Sequence, residues 1–123
     1  MIPYSIKQNK PKDKPSIIFE EKYSILNELN SCDEDYIIDE VLPILDKIMN
    51  FGQYWDPHRS EHYGYLSTYD FGYTAVVIEF GKDKSIIDDT WDDNFNKIEI
   101  PSENIYRFMR EWRDYLVEWK KNL

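Results

Sequence analysis

Cross-linking chemistry is scarce in this chain of 123 residues. It has one cysteine, Cys32, so no internal disulfide can form, and the protein reads as cytoplasmic or as meeting its partner there. Long apolar runs are also missing. The longest is Thr74-Ala75-Val76-Val77-Ile78, far below the ~20 residues that span a bilayer, and Met1-Ile2-Pro3-Tyr4-Ser5 carries no apolar core of a secretory signal. Basic residues are in deficit, 15 against 24 acidic ones, for a net charge of −9. That deficit excludes nucleic acid and anionic membranes as direct partners, since both would be repelled. No nucleophile triad, P-loop or dinucleotide fingerprint occurs, so the chain is expected to be no enzyme and to hold no cofactor.

What is present is apolar and aromatic. Residues of the hydrophobic class make up 41% and aromatic ones 16%, enough burial to offset the ordering entropy of one domain covering 1–123. The charge is unevenly placed. Residues 23–102 hold five basic and 17 acidic groups, whereas the two ends are slightly basic. Two acidic clusters dominate. Asp33, Glu34, Asp35, Asp39 and Glu40 suit the first turns of a helix, where they complement its dipole. Asp88, Asp89, Asp92 and Asp93 surround Trp91.

Periodicity predicts an α+β fold: N-terminal helices, a central antiparallel sheet of about three to four strands, and a long C-terminal amphipathic helix packed on it. Residues 1–16, broken by Pro11 and Pro15, are expected as a loop or frayed arm. A short helix is expected over about 19–29. Ser31 and Glu34 fit a capping box, opening a helix whose apolar face is Ile38, Val41, Leu42, Leu45, Ile48 and Met49. Pro43 should kink it and Gly52 should end it. Residues 63–69 and 73–80 read as a hairpin turning at Asp70-Phe71-Gly72. Strands are then expected from Ser85-Ile86-Ile87 and over Asn96–Ile100. Ser102 is placed as the N-cap of the last helix, which presents Ile105, Phe108, Met109, Trp112, Tyr115, Leu116 and Trp119 along one stripe.

Four local patterns touch on chemistry. His58-x-x-Glu61-His62 has the spacing of an inverted zinc-protease motif, with two imidazoles as ligands and the glutamate as base. It predicts a small zinc-dependent hydrolase as the alternative to a binding protein, yet Tyr63-Gly64-Tyr65 reads as strand, and two histidines in a surface loop explain it as well. Asp70-Phe71-Gly72 matches a kinase triplet without any companion motif and is read as a turn. Cys32 sits beside Asp33 and Glu34, whose charge opposes thiolate formation. The acidic run at 88–93 lacks the spacing and glycine of a calcium loop, so no metal site is assigned.

The candidate partner-binding residues are Asp88, Asp89, Trp91, Asp92 and Asp93, joined by Tyr54, Trp55 and Asp56. Four carboxylates within six residues repel one another. Either Trp91 is tucked into the core beside a solvated loop, or it is an aromatic anchor ringed by negative charge and suited to a basic cleft. A third possibility for the chain is a structural or adaptor subunit.

Ile98-Glu99-Ile100-Pro101-Ser102 leading into Phe108 and Trp112-Arg113-Asp114-Tyr115-Leu116, in a small acidic α+β domain, resembles the immunity proteins of bacterial polymorphic toxin systems, including contact-dependent growth inhibition. The resemblance implies a cytoplasmic monomer that neutralises a cognate toxin, commonly a nuclease, in a tight 1:1 complex. It assigns no residue roles.

Overall fold

In the computed structural model, which describes residues 2–123, the chain opens with a hairpin of β1 (Tyr4–Lys7) against β2 (Ser16–Phe19). A 3-10 helix (Glu21–Ser31) follows, and then a π-helical segment (Tyr36–Val41) that runs directly into α1 (Leu42–Phe51). After the single turn of α2 (Ser60–Tyr63) come β3 (Tyr69–Tyr73), β4 (Val76–Phe80), β5 (Lys84–Asp89) and β6 (Ile98–Pro101), and finally α3 (Ser102–Lys121). The last four strands form one antiparallel sheet in the order β3-β4-β5-β6. The α+β class and the C-terminal helix on the sheet are as expected. No described helix is long and apolar enough to cross a membrane.

Alternation sets the sheet's two faces. Phe71, Ile78 and Ile87 lie in register across one row, and Phe80, Ser85 and Ile100 across another. All six are buried: α3, which contributes Ile105, Phe108, Met109, Trp112 and Leu116, packs over β5 and β6, and the 3-10 helix packs over β3 and β4. Tyr115, assigned by periodicity to the same stripe, is exposed: it stands at the margin of the stripe, beyond the reach of the sheet. Fully burying side chains of this size is worth about 1.5–3 kcal/mol each, and they join the hairpin, the 3-10 helix and α1 in one core.

The N-terminal arm is a correction to the sequence reading. Residues 4–19 are a hairpin rather than a loose arm (Met1 lies outside the described residues), and Ile2 and Pro15 are buried. Two indoles of α3 hold it. Trp112 Nε1 donates to the Pro15 carbonyl at 3.1 Å and Trp119 Nε1 to that of Lys12 at 3.0 Å. Phe19 meets Phe108 edge-on at 4.9 Å. Strands of four residues are marginal alone, so tertiary contact decides what local sequence leaves open.

The helix expected over 19–29 is present but wound as 3-10, for a reason visible along β2. Asn27 Oδ1 accepts the Phe19 N–H at 2.8 Å while its Nδ2 donates to the Phe19 carbonyl at 3.1 Å. Asn30 does the same for Ile17, at 2.9 and 2.7 Å. Three residues of 3-10 helix rise ~6 Å, and two residues of strand advance ~6.6 Å. Amides three apart on the helix therefore meet backbone groups two apart on the strand edge. An α-helix would advance only ~4.5 Å over the same three residues.

Ser31 closes this 3-10 helix and is not a cap of the next one. Cys32 is extended and Asp33 takes over: its Oδ1 accepts the Asp35 N–H at 2.8 Å. The kink expected at Pro43 takes the form of the π-helical segment before it. Leu42 N–H bonds the Ile37 carbonyl, five residues back, and this wider turn accommodates a ring that would clash in an α-helix. Gly52 ends α1 as expected, with φ 75° and its N–H on the Ile48 carbonyl at 2.8 Å.

The hairpin turn falls three to four residues later than expected. Asp70, Phe71 and Gly72 lie within β3, and Thr74-Ala75 makes the turn, with Thr74 at φ 51°. Gly72 is required for packing rather than for turning, since a Cβ there would stand 1.9 Å from the Val76 carbonyl oxygen. Residues 63–68 are not a strand; only Tyr54 and Leu66 bridge, with N···O distances of 2.9 and 3.0 Å. Ser102 is also no N-cap. It is buried, its hydroxyl 2.6 Å from that of Ser85, so two buried polar groups satisfy each other where helix meets sheet.

Candidate protein-binding surfaces

The loop after β5 projects Trp91 into solvent, 79% exposed, and so decides between the two readings of that residue: it is outside the core. The loop is nevertheless well fixed. Thr90 bonds the Ala75 carbonyl twice, through its N–H and its hydroxyl, each at 2.8 Å. The four aspartates have separate roles. Asp89 Oδ1 accepts the Trp91 N–H at 3.2 Å and Asp92 Oδ1 the Asn94 N–H at 3.0 Å, two local turns of the kind aspartate favours. Asp88 stands 3.9 Å from Lys97 across the loop's base, and Asp93 is exposed. Turn formation thus offsets much of the mutual repulsion. Trp91, Asp89 and Asp92 line an open groove of about 370 Å³ together with Ile25, Ala75 and Val76.

Next to this loop lies a surface absent from the sequence reading. No described element covers the face of the sheet turned away from α3, where Asp70, Glu79 and Glu99 are exposed. Asp70, Glu79, Ile86 and Glu99 are in register across it, and Val77 and Asp88 form the adjoining row. Four carboxylates therefore surround two partly exposed aliphatic side chains. The opposing cations are peripheral, Lys84 at 3.7 Å from Glu99 and Lys97 beside Asp88, all four groups largely solvated except Asp88. Exposed pairs of this kind are worth little, so the face remains electronegative. Thr90 and Asp88 border both this face and the Trp91 loop, making them one continuous surface.

Tyr54, Trp55 and Asp56 are elsewhere. Tyr54 packs edge-on against Tyr69 at 5.8 Å, whereas Trp91 neighbours the turn after Tyr73 at the other end of β3. The structure therefore separates the eight candidate residues into two surfaces. Tyr54 is itself buried, forming the floor of its groove and presenting a partner little ring surface. Trp55 is 46% exposed and leans edge-on against Tyr65 at 5.3 Å. Asp56 is locked to the buried Ser60, whose hydroxyl accepts the Asp56 N–H at 2.8 Å.

His58, Glu61 and His62 are exposed, with His58 outside the single turn of α2. Among the described residues no three His, Cys, Asp or Glu side chains stand where they could share a metal ion. Cys32 is buried against the Gly72 carbonyl, and burial pushes its thiol up to about 11 despite the opposing influence of Lys14. Such a thiol is no nucleophile at neutral pH. Burial likewise raises the phenols of Tyr36, Tyr54 and Tyr69, and the neighbouring Tyr36 adds to the effect on Tyr69. Comparison with protein-family profiles, with curated proteins and with solved structures finds no significant match to this chain.

Proposed function

We propose that this protein is a stoichiometric inhibitor of a basic protein, of the immunity-protein type, and that it acts by binding rather than by turnover. The observation that carries the reading is the open acidic sheet face continuous with an exposed tryptophan: Asp70, Glu79, Asp88 and Glu99 around Val77 and Ile86, with Trp91 at the margin. This layout matches an interface with an aromatic anchor, an apolar centre and a charged rim. The expected partner is a cationic toxin domain such as a nuclease, whose phosphate-binding cleft would be complementary.

Size supports joint use of both parts. Four strands at ~4.8 Å spacing and four to five residues at ~3.4 Å give a footprint of only about 300 Å². A stable complex buries roughly 800 Å² per partner, so the Trp91 loop and further flanking surface must take part. Complementary charge would raise association towards 10⁸–10⁹ M⁻¹s⁻¹ at low salt, which suits an inhibitor that must act before its target does.

Matched baits test this. Wild type and a D70N/E79Q/D88N/E99Q variant are used to capture proteins from the source cell, and the captured protein is purified and titrated by calorimetry. A basic partner that binds 1:1, arrests growth when expressed alone and is lost with the variant supports the reading. An acidic partner, or retention indifferent to the variant, overturns it.

A further inference from the structure

A second groove, of about 410 Å³, lies between the π-helical segment and the Trp55 loop. Its lining joins acidic and aromatic side chains: Asp39 and Glu40 come from the π-helical segment and Asp56 from the loop, beside Trp55 and Tyr69 over the buried Tyr54. No ion pair among the described residues involves Asp39, Glu40 or Asp56, nor Lys47, the one lysine on the rim. The internal cation therefore leaves these carboxylates unpaired.

The aromatic part of the lining is prearranged. Tyr54 is bridged to Leu66 through both backbone groups, and Asp56 is fixed through Ser60, so Trp55 is held between two anchored neighbours and braced by Tyr65. One Asp56 oxygen accepts the His58 N–H at 2.8 Å, leaving the other for a ligand. The proline that forces the wider π-turn also lines this groove, so the irregular backbone carrying Asp39 and Glu40 coincides with it.

An indole and unpaired carboxylates lining one groove select among cations. An ammonium would gain the charge attraction. A guanidinium gains in addition stacking on the ring and forked hydrogen bonds to carboxylate. We infer that this groove takes an arginine side chain projecting from a partner protein, at a site separate from the acidic sheet face. The inference does not depend on the sheet face being an interface.

The test is an NMR titration of the full chain with N-acetylarginine amide at constant ionic strength, following the indole N–H of Trp55, which is identified with Trp55→Phe. N-acetylcitrulline amide, isosteric and uncharged, is the control. The expected result is a saturable shift at Trp55, weakened at least ~5-fold for citrulline and lost in D39N/E40Q, whose altered side chains are both exposed. The D70N/E79Q/D88N/E99Q variant should titrate as wild type, so this outcome is independent of the inhibitor reading. Absence of saturation, equal response to citrulline, or a response centred on Trp91 or abolished only by the sheet-face variant would each overturn the inference.

Discussion

Replacing Asn30 with alanine removes one half of the amide ladder that ties the 3-10 helix to β2. Successive residues of a strand direct their backbone groups to opposite sides, so Ile17 turns its N–H and carbonyl away from β1 and toward Asn30, its partner for both. Asn30 also holds the Asn27 carbonyl at 3.1 Å. Ile17 is fully buried, and each stranded polar group there costs about 1–3 kcal/mol. Asn30 is only half-buried, so water entering the gap recovers part of this, leaving a loss of roughly 2–4 kcal/mol. At this chain length that lowers Tm by about 8–16 °C. Urea unfolding followed by tryptophan fluorescence should show the midpoint fall with the slope unchanged. Asn30→Asp should cost at least as much, because a carboxylate would face the Ile17 and Asn27 carbonyls. Exposed Asn9→Ala should stay within ~0.5 kcal/mol of wild type. An Asn30→Ala variant as stable as Asn9→Ala would refute the ladder as the cause of the 3-10 winding.

Gly72→Ala forces the hairpin apart at Val76 and should cost more than ~3 kcal/mol, seen as loss of soluble yield or of the urea midpoint; a wild-type midpoint would contradict the close approach. Trp112→Phe loses the bond to Pro15 and leaves a cavity, for about 2–4 kcal/mol. Trp91→Ala, altering an exposed ring, should change stability by less than ~0.5 kcal/mol, and equal effects of the two would place Trp91 in the core after all. Cys32 and Tyr4 both bind their protons more tightly in the folded state, the thiol reaching about 11 through burial and the phenol about 12 through burial and its contact with Glu111. The native state then holds more protons than the unfolded one above about pH 9, so stability present below that pH should decline as pH rises through 9–12. A flat urea midpoint across that range would refute the assignment.

The best-read elements are those whose own residues carry the pattern. The α3 stripe from Ile105 to Leu116 and the Gly52 stop are legible because helix period and left-handed capping are local properties. The 3-10 winding was also written locally, in a period of three: Tyr23, Leu26, Leu29 and Cys32 turn inward, and Asn27 and Asn30 share another line. Reading those residues at 3.6 per turn hides it. The β1–β2 hairpin was not legible, since its anchors are the indoles of Trp112 and Trp119, about a hundred residues away in sequence. The acidic sheet face was missed for a single reason. Placing Asp70 in a turn removed it from the strand, and without β3 in register the alternation of Asp70, Glu79, Asp88 and Glu99 could not be seen as one surface.

The most direct test of the proposed action is stopped-flow association with the captured basic partner across a series of salt concentrations. Wild type should associate far faster than the ~10⁵–10⁶ M⁻¹s⁻¹ of unsteered encounter at low salt and slow steeply as screening grows. D70N/E79Q/D88N/E99Q should start near the unsteered rate and show a much shallower slope. Identical rates and slopes for the two proteins would mean that the open sheet face is not where the partner arrives.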